Sequence, residues 1–135
     1  MTETATNDPQ RKMQLKKAAE SYFDALKQKK FSAIPFSDDV ELRAPIAPGG
    51  VHQPIKGKQA VFEQWWQPLV PALEGVSISI IDHYYNDMMT AIITKAEIKL
   101  AGPGIVLRVA DLFKVNGEGL IMEQENHFDA SPLRG

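Results

Sequence analysis

The sequence predicts an α+β domain, with N-terminal helices packed on one face of a curved, mainly antiparallel sheet. Three observations carry this. Helical periodicity of apolar residues is confined to the first half of the chain. Strict alternation fills the second half, from Val76 to Asp129. Short turn signals separate the alternating runs, which makes consecutive strands neighbours in a meander.

The elements follow in order. Residues 1–8 read as a disordered N-terminal tail, 9–130 as a single domain and 131–135 as a C-terminal tail. Asp8-Pro9 starts a helix, with Asp8 as N-cap and Pro9 at the first helical position. That helix carries Leu15, Ala18, Ala19, Tyr22, Phe23 and Leu26 on one face, and should end near Lys30. A short helical turn holds Phe31 to Ile34, stopped by Pro35. Val40 to Ala44 reads as a short strand ended by Pro45, and 45–57 as a loop. Lys58 to Leu73 is a second helix with Val61, Phe62, Trp65, Trp66, Leu69 and Val70 on a wide stripe; Pro68 and Pro71 should kink or shorten it. Strands follow at Val76–Tyr85, Met88–Leu100, Ile105–Val115 and Leu120–Asp129. Asn116-Gly117-Glu118-Gly119 joins the last two as a hairpin.

Composition excludes several functions. A net charge of −2 offers no basic excess for nucleic acid. Without cysteine there are no disulfides and no thiolate chemistry. Three scattered histidines lack metal-ligand spacing, so no metal and no cofactor is expected. No apolar run reaches the ~18 residues that span a bilayer, and residues 1–10 lack the apolar core of a secretion signal. A cytoplasmic protein is the expectation.

One acid stands in the wrong place. In the run 107–115, Leu107, Val109, Asp111, Phe113 and Val115 share a face, and Arg108 and Lys114 share the other. The apolar face is the inner one, so Asp111 is buried; a bare carboxylate there costs several kcal/mol after relaxation, on the order of one unpaired buried ion. Pairing through the hairpin sets Leu120, Met122, Gln124, Asn126 and Phe128 on the same face, and leaves Ile121, Glu123, Glu125 and His127 outside. In the strand before, Met88, Thr90, Ile92, Thr94, Ala96, Ile98 and Leu100 also face inward. An apolar cup with a few converging polar groups is the make-up of a small-molecule pocket. Asp111 and Tyr22 are the candidate catalytic residues. Asn126, Gln124, Thr94, Trp65, Phe113, Met122, Phe128 and His52 are the candidate ligand contacts, His52 from the loop near the pocket mouth. The competing reading makes Asp111 a structural carboxylate bonded to Gln124 or Asn126. His83 and His127 are expected on outer or edge faces.

The segments Tyr22-Phe23-Asp24-Ala25-Leu26, Phe36-Ser37-Asp38-Asp39-Val40, Ile55-Lys56-Gly57-Lys58, Arg108-Val109-Ala110-Asp111-Leu112-Phe113 and His127-Phe128-Asp129 resemble the NTF2-like superfamily. Within it the chain is similar to the SnoaL-like polyketide cyclases and the ketosteroid isomerases, over residues 12–130. The resemblance implies a cone-shaped α+β barrel with a pocket at its open end, commonly homodimeric. It sets Tyr22 and Asp111 where the isomerases hold their oxyanion-hole tyrosine and protonated acid. It sets Ala44, which takes no proton, where they hold the base. It sets Asn126 where limonene epoxide hydrolases hold an aspartate. Both catalytic sets are therefore incomplete. A SnoaL-like cyclase, or an isomerase using Asp111 as acid–base, is one expectation; a non-catalytic binding protein for a lipophilic small molecule is the other. A homodimer through the outer sheet face is expected from Ala91, Ile93, Leu112 and Ile121 among charges. The loop 47–56 is expected to cover the pocket mouth.

Overall fold

Asp8 and Pro9 start the first helix as the sequence predicts: Asp8 Oδ1 accepts from the Gln10 N–H at 2.9 Å, and Pro9 has no N–H to waste. The computed structural model describes residues 8–102, 104–129 and 131. Of the expected tails at 1–8 and 131–135, residues 1–7 and 132–135 lie outside these. Helix α1 (Pro9–Gln28) buries Leu15, Ala18, Ala19, Tyr22, Phe23 and Leu26, the predicted stripe, and Lys29 closes it in the left-handed conformation. A 3-10 turn spans Phe31–Ala33.

Strand β1 (Phe36–Arg43) starts earlier than its alternation suggests. Its first residues, including Ser37, Asp38 and Asp39, look like loop, but the Ile121 N–H donates to Pro35 O at 2.7 Å and Phe36 pairs with Ile121. Cross-strand bonding there overrides local propensity. Strand β2 (Ile55–Lys56) is two residues within the expected loop. The helix over 58–73 is one rod of changing pitch: α2 (Lys58–Val61), a π-turn (Phe62–Trp66), α3 (Gln67–Leu69) and a 3-10 turn (Val70–Leu73). Pro68 brings no N–H to the ladder, and just before it the Gln67 N–H reaches five residues back to Phe62 O. The prolines change the pitch where a kink or an early end was expected.

Strands β3 (Ser77–Tyr85), β4 (Ala91–Leu100), β5 (Ile105–Val115) and β6 (Ile121–Phe128) complete a six-stranded sheet, ordered β2-β1-β6-β5-β4-β3. All pairs are antiparallel except β1 with β6. Irregular registers in β1–β6, β3–β4 and β5–β6 bend the sheet over α1 and the 58–73 helix.

Those irregularities also correct the predicted faces. At the end of the β5–β6 hairpin Lys114 pairs with Glu123 but Val115 pairs with Ile121. The extra residue is Met122. Ile121 therefore turns inward and is wholly buried, while Met122, expected inside, is exposed at 37%. In β3, a shift between Ile80 and Asp82 reverses parity, so His83 faces inward opposite Thr94 instead of outward. Strand β4 starts at Ala91, not Met88. Asn86 is the cause: its Oδ1 accepts from the N–H groups of Thr90 and Ala91, both at 2.9 Å, which makes the turn five residues long. Met88 and Thr90 are consequently exposed rather than inward.

Arg11 locks the base of the cone. Its guanidinium donates to Met89 O at 2.8 Å, Asn116 O at 2.9 Å and Val115 O at 2.7 Å, tying α1 to two turns far away in sequence. Bonds from a charged donor are the strong ones. Arg11→Ala is expected to cost about 2 kcal/mol, allowing for water replacing part of the loss. Lysine should recover less than half of that, since a point charge cannot reach three carbonyls. Urea melts check this, and an unchanged midpoint for Arg11→Ala would refute it.

Candidate functional site

The register of the sheet lays out a grid on its inner face. Thr94, Asp111 and Asn126 stand side by side in one row across β4, β5 and β6. Ile92, Phe113 and Gln124 form the next row, and Ala96, Val109 and Phe128 the row on the other side. Helix α1 lays Tyr22 over this grid: its ring packs 5.2 Å from that of Phe113 and stacks 6.2 Å from that of Trp65 on the π-turn.

Between the sheet and the 58–73 helix lies a cavity of about 230 Å³. Ligand pockets for drug-sized molecules run from about 300 to 1,000 Å³, so this one suits a small ligand. Its inner end is polar, with Tyr22, Asp111 and Asn126 in the wall. A band of Leu69, Leu73, Ile98, Leu100, Leu107 and Val109 follows, with Leu26, Trp65 and Phe128 beside it. Ile46, Gln64, Pro68 and Ala72 complete the lining.

Burial raises the proton affinity of the inner end. Burial pushes the Asp111 carboxyl well above the usual carboxylate range. Its Oδ1 is fully buried with no hydrogen-bond partner among the described residues. An oxygen left bare in this way favours the neutral acid. Burial likewise pushes the Tyr22 hydroxyl well above its ordinary value, and the nearby Asp111 adds to this; the carboxamides of Gln124 and Asn126 act in the opposite sense. Gln124 Nε2 donates to Asn126 Oδ1 at 2.9 Å, which fixes the two amides to each other, and Gln124 Oε1 is a second buried acceptor without a partner. The bond from Gln124 or Asn126 to Asp111, which a purely structural carboxylate would need, is not among those the described residues make.

The other candidates divide. Asp111, Tyr22, Asn126, Trp65 and Phe128 line the cavity. Gln124 and Phe113 are fully buried behind it. Thr94 is fully buried too, but its hydroxyl is engaged with His83 Nδ1 at 2.8 Å, and His83 Nε2 lies 3.8 Å from Glu20 on α1. Burial, the largest influence, lowers the affinity of His83 for a proton. Met122 is on the outer face for the reason given above. His52 is exposed and does not reach the cavity. The loop 47–56 contributes no lining residue; the Arg43 guanidinium donates to Val51 O at 2.8 Å and holds the loop against β1. Gln64 and Ile46 escaped the sequence reading. The strip of side chains at 64, 68 and 72 was legible as a helical repeat, but proline at 68 read only as a breaker.

No protein-family model and no curated protein sequence matches the chain. Solved structures do match in fold. SalBIII, an epoxide hydrolase/cyclase-like enzyme with a role in pyran ring formation in the polyether salinomycin, superposes with a TM-score of 0.72 at 15% identity, over 94% of this chain and 96% of its own. A SnoaL-like protein of unknown function from Burkholderia thailandensis gives 0.71 at 13% identity, over 87% and 95%. RV0760c from Mycobacterium tuberculosis, in complex with estradiol-17beta-hemisuccinate, gives 0.66 at 17% identity, over 86% and 94%. The fold is therefore the NTF2-like, cystatin-like α+β cone. Among the described residues no helix is long and apolar enough to cross a membrane.

Proposed function

We propose that this protein is a SnoaL-like acid–base pocket protein, a cyclase or isomerase acting on a small, largely apolar molecule that carries a carbonyl. The single observation behind this is the buried Asp111 carboxyl, its proton affinity raised by burial, at the inner end of a mostly apolar cavity beside the Tyr22 hydroxyl. Tyr22 donates a hydrogen bond to the carbonyl oxygen and lowers the cost of charge there. Asp111, as carboxylate, takes a proton from the neighbouring carbon and returns it to oxygen or to a second carbon. Intramolecular aldol closure breaks one C–H bond and the C=O π bond of a second carbonyl, and forms one C–C and one O–H bond. Double-bond migration breaks one C–H bond and forms another. Neither changes the number of protons, so a single carboxyl suffices. A raised proton affinity brings that carboxyl nearer to neutral pH, where acid–base exchange works best. SalBIII, described as cyclase-like, lends this reading support from outside the chain.

Binding without turnover is the second reading. It is favoured by Ala44, which is buried and cannot titrate, and by Asp111 being the one carboxyl that the described residues place in the cavity wall. The steroid ester held by RV0760c fits that reading. Proton exchange separates the two. With 2-tetralone in heavy water, wild type should speed deuterium uptake beside the carbonyl, and Asp111→Asn should not. Tight binding of the ketone with uptake at the background rate would leave only the binding role.

The proposal includes a homodimer through the outer sheet face. Ile121 and Ala91 are buried and drop out of that surface, but Tyr84, Ile93 and Leu112 align in register across β3, β4 and β5, and Met122 on β6 and Val106 toward the other end of β5 are also exposed. Light scattering at micromolar concentration should give twice the 15.0 kDa chain mass; a single-chain mass would remove the dimer.

A further inference from the structure

The cavity is polar at two places, not one. Apart from the inner cluster of Tyr22, Asp111 and Asn126, and the indole of Trp65, the polar side chain that the described residues place in its wall is Gln64. Gln64 lies on the π-turn of the 58–73 helix and is exposed. Its neighbour Glu63 is engaged by Gln59 at 2.8 Å, whereas the Gln64 carboxamide makes no hydrogen bond to the described residues. The lining positions on this helix repeat every four residues, as 64, 68, 72 and 65, 69, 73. A regular helix overshoots a full turn by about 40° over four residues, and the widened π-turn offsets part of that drift. The local geometry thus holds Gln64 and Trp65 on the cavity side together with Leu69 and Leu73. Among the described residues no Lys, Arg or His is in the wall.

We propose that Gln64 reads a second, neutral oxygen at the outer end of the ligand. The ligand is then an uncharged, ring-sized hydrocarbon body oxygenated at both ends. This rests on the pocket reading above and adds to it the ligand's far end and its charge. A carboxamide both donates and accepts, so it suits a hydroxyl, ether, ketone or ester. A charged end would gain no ion pair from the described wall and would keep its water at the exposed mouth, whereas a neutral oxygen gains the carboxamide's hydrogen bond. An ionised group anywhere along the aliphatic band would be left without a partner.

Three bicyclic probes test this, with isothermal titration calorimetry as the readout. 6-Methoxy-2-naphthol offers an ether oxygen at the outer end, 6-ethyl-2-naphthol has the same shape without it, and 6-hydroxy-2-naphthoate carries a charge. Gln64→Leu should shift the methoxy-to-ethyl affinity ratio about tenfold toward the ethyl probe, the worth of one net hydrogen bond. Gln64→Met, of matched length, should do the same and guards against a folding defect in the leucine variant. The naphthoate should bind wild type more weakly than the methoxy probe. An unchanged ratio in both variants overturns the role of Gln64 while leaving the pocket intact. A naphthoate that binds more tightly than the methoxy probe overturns the neutral ligand. If wild type holds neither naphthol, the pocket reading itself falls and this assignment with it.

Discussion

Asp111→Asn is expected to flatten the pH dependence of stability and, in the same protein, to stop proton exchange on a bound ketone. The sign comes from burial. The folded carboxyl has its proton affinity raised, so the unfolded chain ionises first, near the ordinary carboxylate value. Above ~pH 4 the folded state therefore holds more protons than the unfolded state. Stability is complete below that point and falls as pH rises toward the folded value, by at most about 1.4 kcal/mol per pH unit. Asparagine has nearly the same shape and does not titrate. Relative to Asp111→Asn, wild type should lose stability as pH rises above ~4. Urea melts at several pH values measure the difference. Parallel curves would mean that Asp111 has the same proton affinity in both states, and the acid–base proposal would lose its only carrier. The two readouts are independent. A flat stability curve with proton exchange retained would place the chemistry elsewhere.

Much of this site was legible because side-chain parity is a strict constraint. Asp111 sits on the apolar parity of an eleven-residue strand, and no local shift within β5 disturbs that. Asn126 and Phe128 could be placed opposite it because the hairpin register holds for their part of β6. The failures lie where one residue is added. The extra residue at Met122 reverses parity for the start of β6, and the shift between Ile80 and Asp82 does the same for His83. A bulge of that kind depends on how the whole sheet bends, which alternation within one strand does not record. Asn86 is a different case. Asn86-Asp87 reads as a tight turn, yet the Asn86 side chain captures two backbone N–H groups and lengthens it to five residues. Lining is harder to foresee than burial. Thr94, Gln124 and Phe113 share the inner face with Asp111, but depth in the cone decides which of them meets the cavity, and depth depends on how the helices cover the sheet.

Phe113 shows what that depth means in energy. It was a candidate ligand contact, but it is fully buried and packs on the rings of Tyr22 at 5.2 Å and Phe23 at 6.1 Å. Its neighbour across the hairpin is Gln124, which is bonded to Asn126 in the cavity wall. Phe113 thus supports the wall from behind: it fixes the Tyr22 ring from one side while Trp65 stacks on the other. Phe113→Ala should cost about 3–5 kcal/mol, the transfer term plus the void it leaves. Much of a small domain's stability would go, since the whole is about 5–15 kcal/mol. Phe113→Leu keeps most of the volume and should cost about 1–2 kcal/mol. The pair distinguishes a supporting residue from a contact residue. Behind the wall, leucine should hold Tyr22 in place, and naphthol affinity should stay within about twofold of wild type despite the lost stability. At the ligand surface, losing the ring face would cost affinity directly, on the order of tenfold for an aromatic pair. Urea melts and naphthol titrations on the same two variants decide between them, and a tenfold weaker naphthol affinity in Phe113→Leu would put the ring back in contact with the ligand.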